Sequence, residues 1–266
     1  CGPVSNIKFN DLQPETIKQF NEGLNSFFRE RKIISSFSRL HPIFPYQERI
    51  FQNYGEVIPL NKTVAIDLNQ PVKNQWSKYR KSTRVHIRKA LESGITVRMT
   101  SDNGDLDRFI EIYYENMQRV NANSRYYFSH DYFRELMNAS DFKSVLFVAE
   151  KEGKIVAGVI VTICNGIMQY HISATQSEML KFSPMKLLFD RARMYANEMK
   201  CTYCHLGGGY GNESDSLFKF KTNFSKDFFE FKVWRKIVNM QAYNELVKEK
   251  FGDNIPTTDY FPLYRL

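Results

Sequence analysis

The longest apolar run in the chain, KIVAGVIVTIC at 154–164, limits the fold more than any other segment. It is well short of the roughly 20 apolar residues that a membrane-spanning helix needs, and its valines and isoleucines favour an extended strand. The strand-like segments SVLFVAE (144–150) and IMQYHISA (167–174) flank it, so three strands follow one another as a meander. Helical patterns precede them, from Asp105 to Arg119 and from Ser129 to Asn138. After them come a helix from Ser183 and Pro184 to Met199, the strand CTYCHL (201–206), a glycine turn with a short helix, the strand FFEFKVWRKI (228–237) and a helix from about Gln241 to Lys250. This order predicts an α+β fold, a mixed central sheet with helices on both faces.

The first hundred residues are also mixed. Pro14 opens a helix whose Ile17, Phe20, Leu24, Phe27 and Phe28 recur at helical spacing. IISSF (33–37) reads as a strand, HPIFP (41–45) as a turn, and TVAIDL (63–68) as another strand. One long helix is expected from Pro71 to Glu92, stopped by Gly94, with Val72, Trp76, Tyr79, Thr83, Ile87 and Ala90 facing a core. Beside that stripe Lys73, Arg80, Arg84 and Arg88 form a basic row. Four cations in line can grip a diphosphate or a nucleic-acid backbone, although solvated charge on a helix face is the commoner cause of such a row. The strand ITVRM (95–99) closes this region.

The segment from His205 to Phe224, HLGGGYGNESDSLFKFKTNF, carries the chemistry. Four of the five residues from Gly207 to Gly211 are glycine, which lets a ligand approach the main chain at Gly208 and Gly209. Ser214 and Asp215 supply a helix cap. A helix running on to Phe224 puts Leu217, Phe220, Lys221 and Phe224 on one face and Lys219 on the other. Lys221 then sits on the buried side, where desolvation lowers the pKa of an ammonium. The bland alternative is a lysine that reaches past Phe220 to water. Tyr210, at the tip of the turn, is placed to stack on or hydrogen-bond a sugar. His171 in MQYHISA has the ordinary pKa of a base working near neutrality, though strand histidines more often only satisfy a neighbour. Glu213 and Asp215 are alternative bases, with Asp215 more simply explained as the cap.

Charge and cysteine content restrict the partners. A net charge of +8 favours an anionic one: a phosphorylated small molecule, RNA or a membrane surface. Four cysteines are too few for a disulfide framework and fit a reducing cytoplasm. CTYCH matches the haem-attachment pattern C-x-x-C-H, but it lies in a strand-like segment and no second ligand pair is spaced for zinc; neither haem nor metal is expected. Cys1 in place of Met suggests a start inside a longer protein.

The order of elements resembles the acyltransferase fold of the GNAT superfamily. The strings WSKYRKSTRVHIRKALESGITV (76–97), FSRLHPI (37–43), SPMKLLFDRA (183–192) and LGGGYGNESDSLFKFKTNFS (206–225) resemble its Fem-like branch, aminoacyltransferases of peptidoglycan interpeptide bridges. The resemblance implies two GNAT-type domains in tandem, a first, incomplete one over residues 1–100 and a second, complete one over 101–266, with Arg84 and Arg88 at their junction. It also implies that Lys221, in the Phe220-Lys221 pair, stabilises charge on the reacting carbonyl, and that Arg39 and His41 of SRLHP belong to a polar substrate-binding segment. Two departures bear on the acyl donor. The loop TQSEMLKFSPM lacks the glycines that hold the pyrophosphate of acyl-CoA in the wider superfamily, and no helical arm for aminoacyl-tRNA interrupts the chain.

The expected function is therefore cytoplasmic transfer of an acyl or aminoacyl group, from acyl-CoA or aminoacyl-tRNA, to an amine of a cell-envelope or polysaccharide precursor. The expected acceptor is an anionic small molecule, nucleotide- or diphosphate-linked. Two rivals come from other classes: a nucleic-acid-binding module, against which the core-like spacing of the aromatic residues speaks, and a GNAT scaffold without activity.

Overall fold

The computed structural model describes residues 2–7, 9–209 and 215–266. The elements are α1 (Pro14–Glu30), β1 (Ser35–Arg39), α2 (Pro45–Ile50), β2 (Glu56–Asp67), α3 (Val72–Ser77), α4 (Lys81–Glu92), β3 (Thr96–Thr100), α5 (Asn103–Arg119) and α6 (His130–Met137). They continue with β4 (Lys143–Lys151), β5 (Lys154–Cys164), β6 (Ile167–Thr175), α7 (Pro184–Glu198), β7 (Tyr203–Gly207), α8 (Ser216–Lys221), β8 (Asp227–Ile237) and α9 (Met240–Phe251). The chain divides into two compact units, one made of the described residues up to Lys62 together with Phe229–Leu266, the other of Thr63–Phe228. This division differs from a boundary near residue 100. Ile87, Ala90 and Ile95 share a core with residues of β4 to β7, while Trp234 packs with residues from the start of the chain.

In the first unit β1 runs antiparallel to β8, from Ser35 opposite Ile237 to Arg39 opposite Val233. Its core gathers Leu12, Phe28, Leu40, Ile50, Phe51 and Tyr54 around Trp234. The Phe51 ring stacks on the indole at 4.1 Å and 9°. Gly55 has φ +90°, and a Cβ there would lie 2.7 Å from both Trp234 Nε1 and Arg235 O, so only glycine fits. Pro45, expected in a turn, instead opens α2, where its missing N–H costs nothing. Phe20 and Phe27 of α1 are exposed rather than in the core.

The second unit carries the strand order β2-β7-β6-β5-β4-β3. β6 and β7 are parallel, joined through α7, while the neighbouring pairs are antiparallel. β5 is buried on both faces. Val159 and Val161 share one core with Ile87 of α4 and Leu188 of α7, and Ile160 shares another with Phe109 of α5 and Phe133 of α6. The strands are covered by helices on both faces, as the apolar run at 154–164 requires.

The long helix expected over 71–92 is broken. Arg80 is extended (φ −53°, ψ 139°) and caps α4, while Tyr79 turns inward to a buried network. Arg193 of α7, 2% exposed, donates from Nε to Tyr79 Oη at 2.9 Å, from Nη1 to Gln75 Oε1 at 2.7 Å and from Nη2 to Asp190 Oδ1 at 2.7 Å. Tyr79 Oη also donates to Asp190 Oδ1 at 3.2 Å. Removing one partner from such a buried pair strands the other charge. Arg193→Met is expected to lower stability by about 3–5 kcal/mol in chemical denaturation, and adding Asp190→Leu to restore part of it. Additive losses in the double variant would mean the two side chains are not coupled.

Candidate active site

β6 and β7 pair only at Ile167–Tyr203, Met168–Cys204 and Gln169–His205, although β6 runs on to Thr175. Two irregularities flank the end of this pairing. Against β5, Ile172 faces Ile160 but Tyr170 faces Val161, which leaves His171 as the extra residue of a bulge. Against β2, Gly207 faces Val64 but His205 faces Ala65, which leaves Leu206 extra. The bulge at His171 also moves the core-facing positions across the sheet. Met168 and Tyr170 pack on the α4–α7 side, Ile172 and Ala174 on the α5–α6 side. Open α/β sheets bind ligands beyond the carboxyl ends of such parallel strands.

Lys221 Nζ lies at this place. Asp215 starts α8, its Oδ1 accepting from Phe218 N at 2.7 Å. The helix ends at Lys221, three residues before the expected Phe224, yet Phe224 remains fully buried. Leu217, expected on the core face, is 40% exposed; Lys219 is exposed as its spacing predicts. Lys221 itself is 6% exposed. Its Nζ donates to Gly208 O at 2.6 Å and lies 5.5 Å from the centroid of the Tyr170 ring. Gly207 has φ +78°, and a Cβ there would stand 3.3 Å from Nζ, so a bare backbone keeps the ammonium's place open. Burial pushes the Lys221 pKa down to about 8, against the charge of Asp215, which raises it. Burial also pushes the Tyr170 phenol up to about 12; its hydroxyl is hydrogen-bonded to Ser173 Oγ. Gln169 joins the neighbouring groups, its Oε1 bonded to His205 Nδ1 and its Nε2 donating to Tyr170 O at 2.8 Å. The site is thus a cation at neutral pH, held on aromatic and backbone groups.

The other expected site residues fall in several places. His171 sits on the bulge with Nε2 2.7 Å from Tyr132 Oη, and desolvation of the ring lowers its pKa. Gly208 supplies the carbonyl that Lys221 meets, and Gly209 follows it outside regular structure. Tyr210, Gly211, Glu213 and Ser214 lie outside the described residues. Arg39 ends β1, exposed, and His41, its pKa lowered by burial, accepts from Ile43 N at 3.3 Å; both belong to the first unit. The basic row does not form one line, because the break at Arg80 separates Lys73 from the rest. Arg84 Nη1 donates to Ser77 O at 2.8 Å and Tyr79 O at 2.6 Å, so this side chain closes the end of α3 rather than offering its charge to a ligand. Arg88 is exposed. In CTYCH, Cys201 precedes the strand instead of lying on it, and Cys201 and Cys204 are both free thiols. Among the described residues, no group of three or more His, Cys, Asp or Glu could hold a metal ion, and no helix is long and apolar enough to cross a membrane.

Several site residues escape a reading of the sequence. Tyr170, Ser173 and Gln169 look like ordinary strand positions, since a bulge leaves no mark in composition. A lysine–histidine pair at the start of α7 was equally hidden: Lys186 Nζ is 2.6 Å from His86 Nδ1, burial and the charge of Lys186 lower the His86 pKa, and burial, with the charge of Arg80, lowers that of Lys186.

The family model for the acetyltransferase (GNAT) domain matches residues 77–221. No curated protein matches the sequence. Among solved structures, the crystal structure of FemX is similar with a TM-score of 0.72 and 13% identity, over 90% of this chain and 80% of that one. The structure of L-PGS from Bacillus licheniformis is similar with a TM-score of 0.61 and 15% identity, over 87% of this chain and 78% of that one. Both likenesses concern the fold.

The lowered pKa of Lys221 has a thermodynamic signature that needs no substrate. Below about pH 8 the native state carries a buried charge that the unfolded chain keeps in water. Between about pH 8 and 10.5 the unfolded chain binds more protons than the native one, so stability rises with pH. Measured against Lys221→Met, the wild type is expected to gain about 2–3 kcal/mol across that interval in denaturant titrations. A difference independent of pH would place the ammonium in water.

Proposed function

Because the chain belongs to the GNAT acetyltransferase family, and so is an acyltransferase, we propose that it transfers an acyl or aminoacyl group to an amine of a cell-envelope or polysaccharide precursor. The observation that carries this reading is the buried ammonium of Lys221 where β6 and β7 part. Attack of an amine on an acyl carbonyl forms a C–N bond and puts negative charge on the carbonyl oxygen. A fixed cation out of water stabilises that oxyanion. Lys221 Nζ turns one of its hydrogens from Gly208 O to the oxyanion, and collapse of the adduct expels a thiolate from acyl-CoA or the ribose oxygen of an aminoacyl-tRNA. The attacking amine must also lose a proton; His171, the strand histidine with a lowered pKa, bonds Tyr132 of α6 while Tyr170 faces Lys221, so it stands on the other side of β6 from the ammonium.

An acyl-CoA donor suits the family, and Lys186 and Arg80 offer positive charge at the first turn of α7 for its phosphates. The resemblance of Phe220-Lys221 and SRLHP to Fem-like proteins supports a nucleotide- or diphosphate-linked acceptor. On this reading Arg88, Gly208, Gly209 and Tyr210 bind substrate, whereas Arg84 has a structural duty.

Lys221→Met keeps the aliphatic stem and removes the charge. It is expected to lower kcat by about 10² to 10³ with a much smaller change in KM, the scale for losing one oxyanion donor, while Lys219→Met stays near wild type. The assay pairs acetyl-CoA or a charged tRNA with a nucleotide-linked lysine pentapeptide. Wild-type turnover in Lys221→Met would remove the lysine from the chemistry. Binding of both substrates without turnover in any variant would favour the idle scaffold.

A further inference from the structure

The hydrogen bond between Tyr170 Oη and Ser173 Oγ joins two residues three apart on one strand. In a regular strand such residues point to opposite faces, and their side chains do not meet. The extra residue at His171 puts both on one face: Tyr170 packs with the α4–α7 core, whereas Ile172 and Ala174, on either side of Ser173, belong to the α5–α6 core. We propose that Tyr170, fixed by Ser173 across the bulge, is the positioning residue for the Lys221 ammonium. The assignment rests on the reading of Lys221 as the group that meets the oxyanion.

The ring is held from several directions. Phe189 of α7 lies against it at 4.5 Å between centroids, Gln169 Nε2 donates to the Tyr170 carbonyl at 2.8 Å, and Ser173 fixes the hydroxyl; which of the two hydroxyls donates makes no difference. Lys221 Nζ stands over this ring, 5.5 Å from its centroid. Among the described residues Gly208 O accepts from the ammonium and no carboxylate pairs with it. A carboxylate in the ring's place would neutralise the charge and compete with substrate for its hydrogens. The face of an aromatic ring attracts a cation through its quadrupole and takes up little of its hydrogen-bonding capacity. One hydrogen goes to Gly208 O, and the other two stay available to a carbonyl oxygen. The surroundings add little charge. β6 brings Gln169 and the Tyr170 phenol, which burial pushes up to about 12 and so keeps neutral; β7 brings His205, bonded to Gln169; α7 brings Phe189; and Asp215, at the start of α8, raises the lysine pKa.

The test reads the ammonium itself. Nitrogen NMR of the full chain labelled at lysine, with Lys221→Met to assign the signal, is expected to give Lys221 a midpoint near pH 8. In Tyr170→Leu, which removes the ring, the midpoint should fall by about one unit, a roughly tenfold rise in the acid constant. Tyr170→Phe and Ser173→Ala keep the ring and break the same hydrogen bond from either end; each should lower the midpoint by the same smaller amount, and the double variant no further. A midpoint that stays or rises in Tyr170→Leu would overturn the proposal; should that variant not fold, unmoved midpoints in Tyr170→Phe and Ser173→Ala would do so. Beside a lowered midpoint in Tyr170→Leu, the same result would sink the part of Ser173 alone. With acetyl-CoA and the nucleotide-linked lysine pentapeptide, Tyr170→Leu should lose about 10-fold in kcat at constant KM. Wild-type turnover in Lys221→Met beside a lowered midpoint in Tyr170→Leu would sink the oxyanion reading and spare the tyrosine; a slow Lys221→Met beside an unmoved Tyr170→Leu would do the reverse.

Discussion

Everything at the candidate site depends on where two parallel strands stop pairing. β6 and β7 share register only to Gln169 and His205, and beyond that the backbone of each departs from regular geometry, by a bulge at His171 and by the left-handed Gly207. Had β6 kept its alternation, Tyr170 and Ile172 would share a face and one of them would meet the wrong core. The extra residue resolves that conflict and leaves unpaired backbone beside Lys221.

The helices around this opening are fixed by polar contacts as much as by apolar ones. Arg193, Asp190, Tyr79 and Gln75 tie α7 to the joint between α3 and α4, and Arg84 seals the same joint from outside. α4 and α7 cover the face of the sheet on which Lys221, Tyr170 and Phe224 pack. The packing of that face therefore rests on a buried charge network, which tolerates change poorly because each member satisfies another.

Much of this was legible in the chain, and the limits have physical causes. The strands of the second unit follow from β-branched runs, and the burial of Lys221 from its place on the apolar face of α8, both being local periodicities. The break at Arg80 was not legible: YRKS contains neither proline nor glycine, and the helix stops because Tyr79 is drawn to partners more than a hundred residues away. Arg193 reads as one more surface cation until its three partners are known. The division of the chain into units at Lys62 and Phe228 likewise depends on contacts between its distant ends, which no local pattern records. At the site itself the lysine and the glycines were visible, while Tyr170, Gln169 and the bulge that arranges them were not.

The depressed pKa of Lys221 also bears on self-protection. In the proposed mechanism, a protein that hands acyl groups to amines carries an amine of its own beside the acyl carbon. Protonation alone stops that amine from being the acceptor, since an ammonium has no lone pair. With a pKa near 8, the margin is narrow on the alkaline side, where a growing fraction of molecules would hold a competent nucleophile against their own donor. In the proposed mechanism, the desolvation that would make the cation effective toward an oxyanion thus also sets the alkaline limit at which the catalyst would become its own substrate.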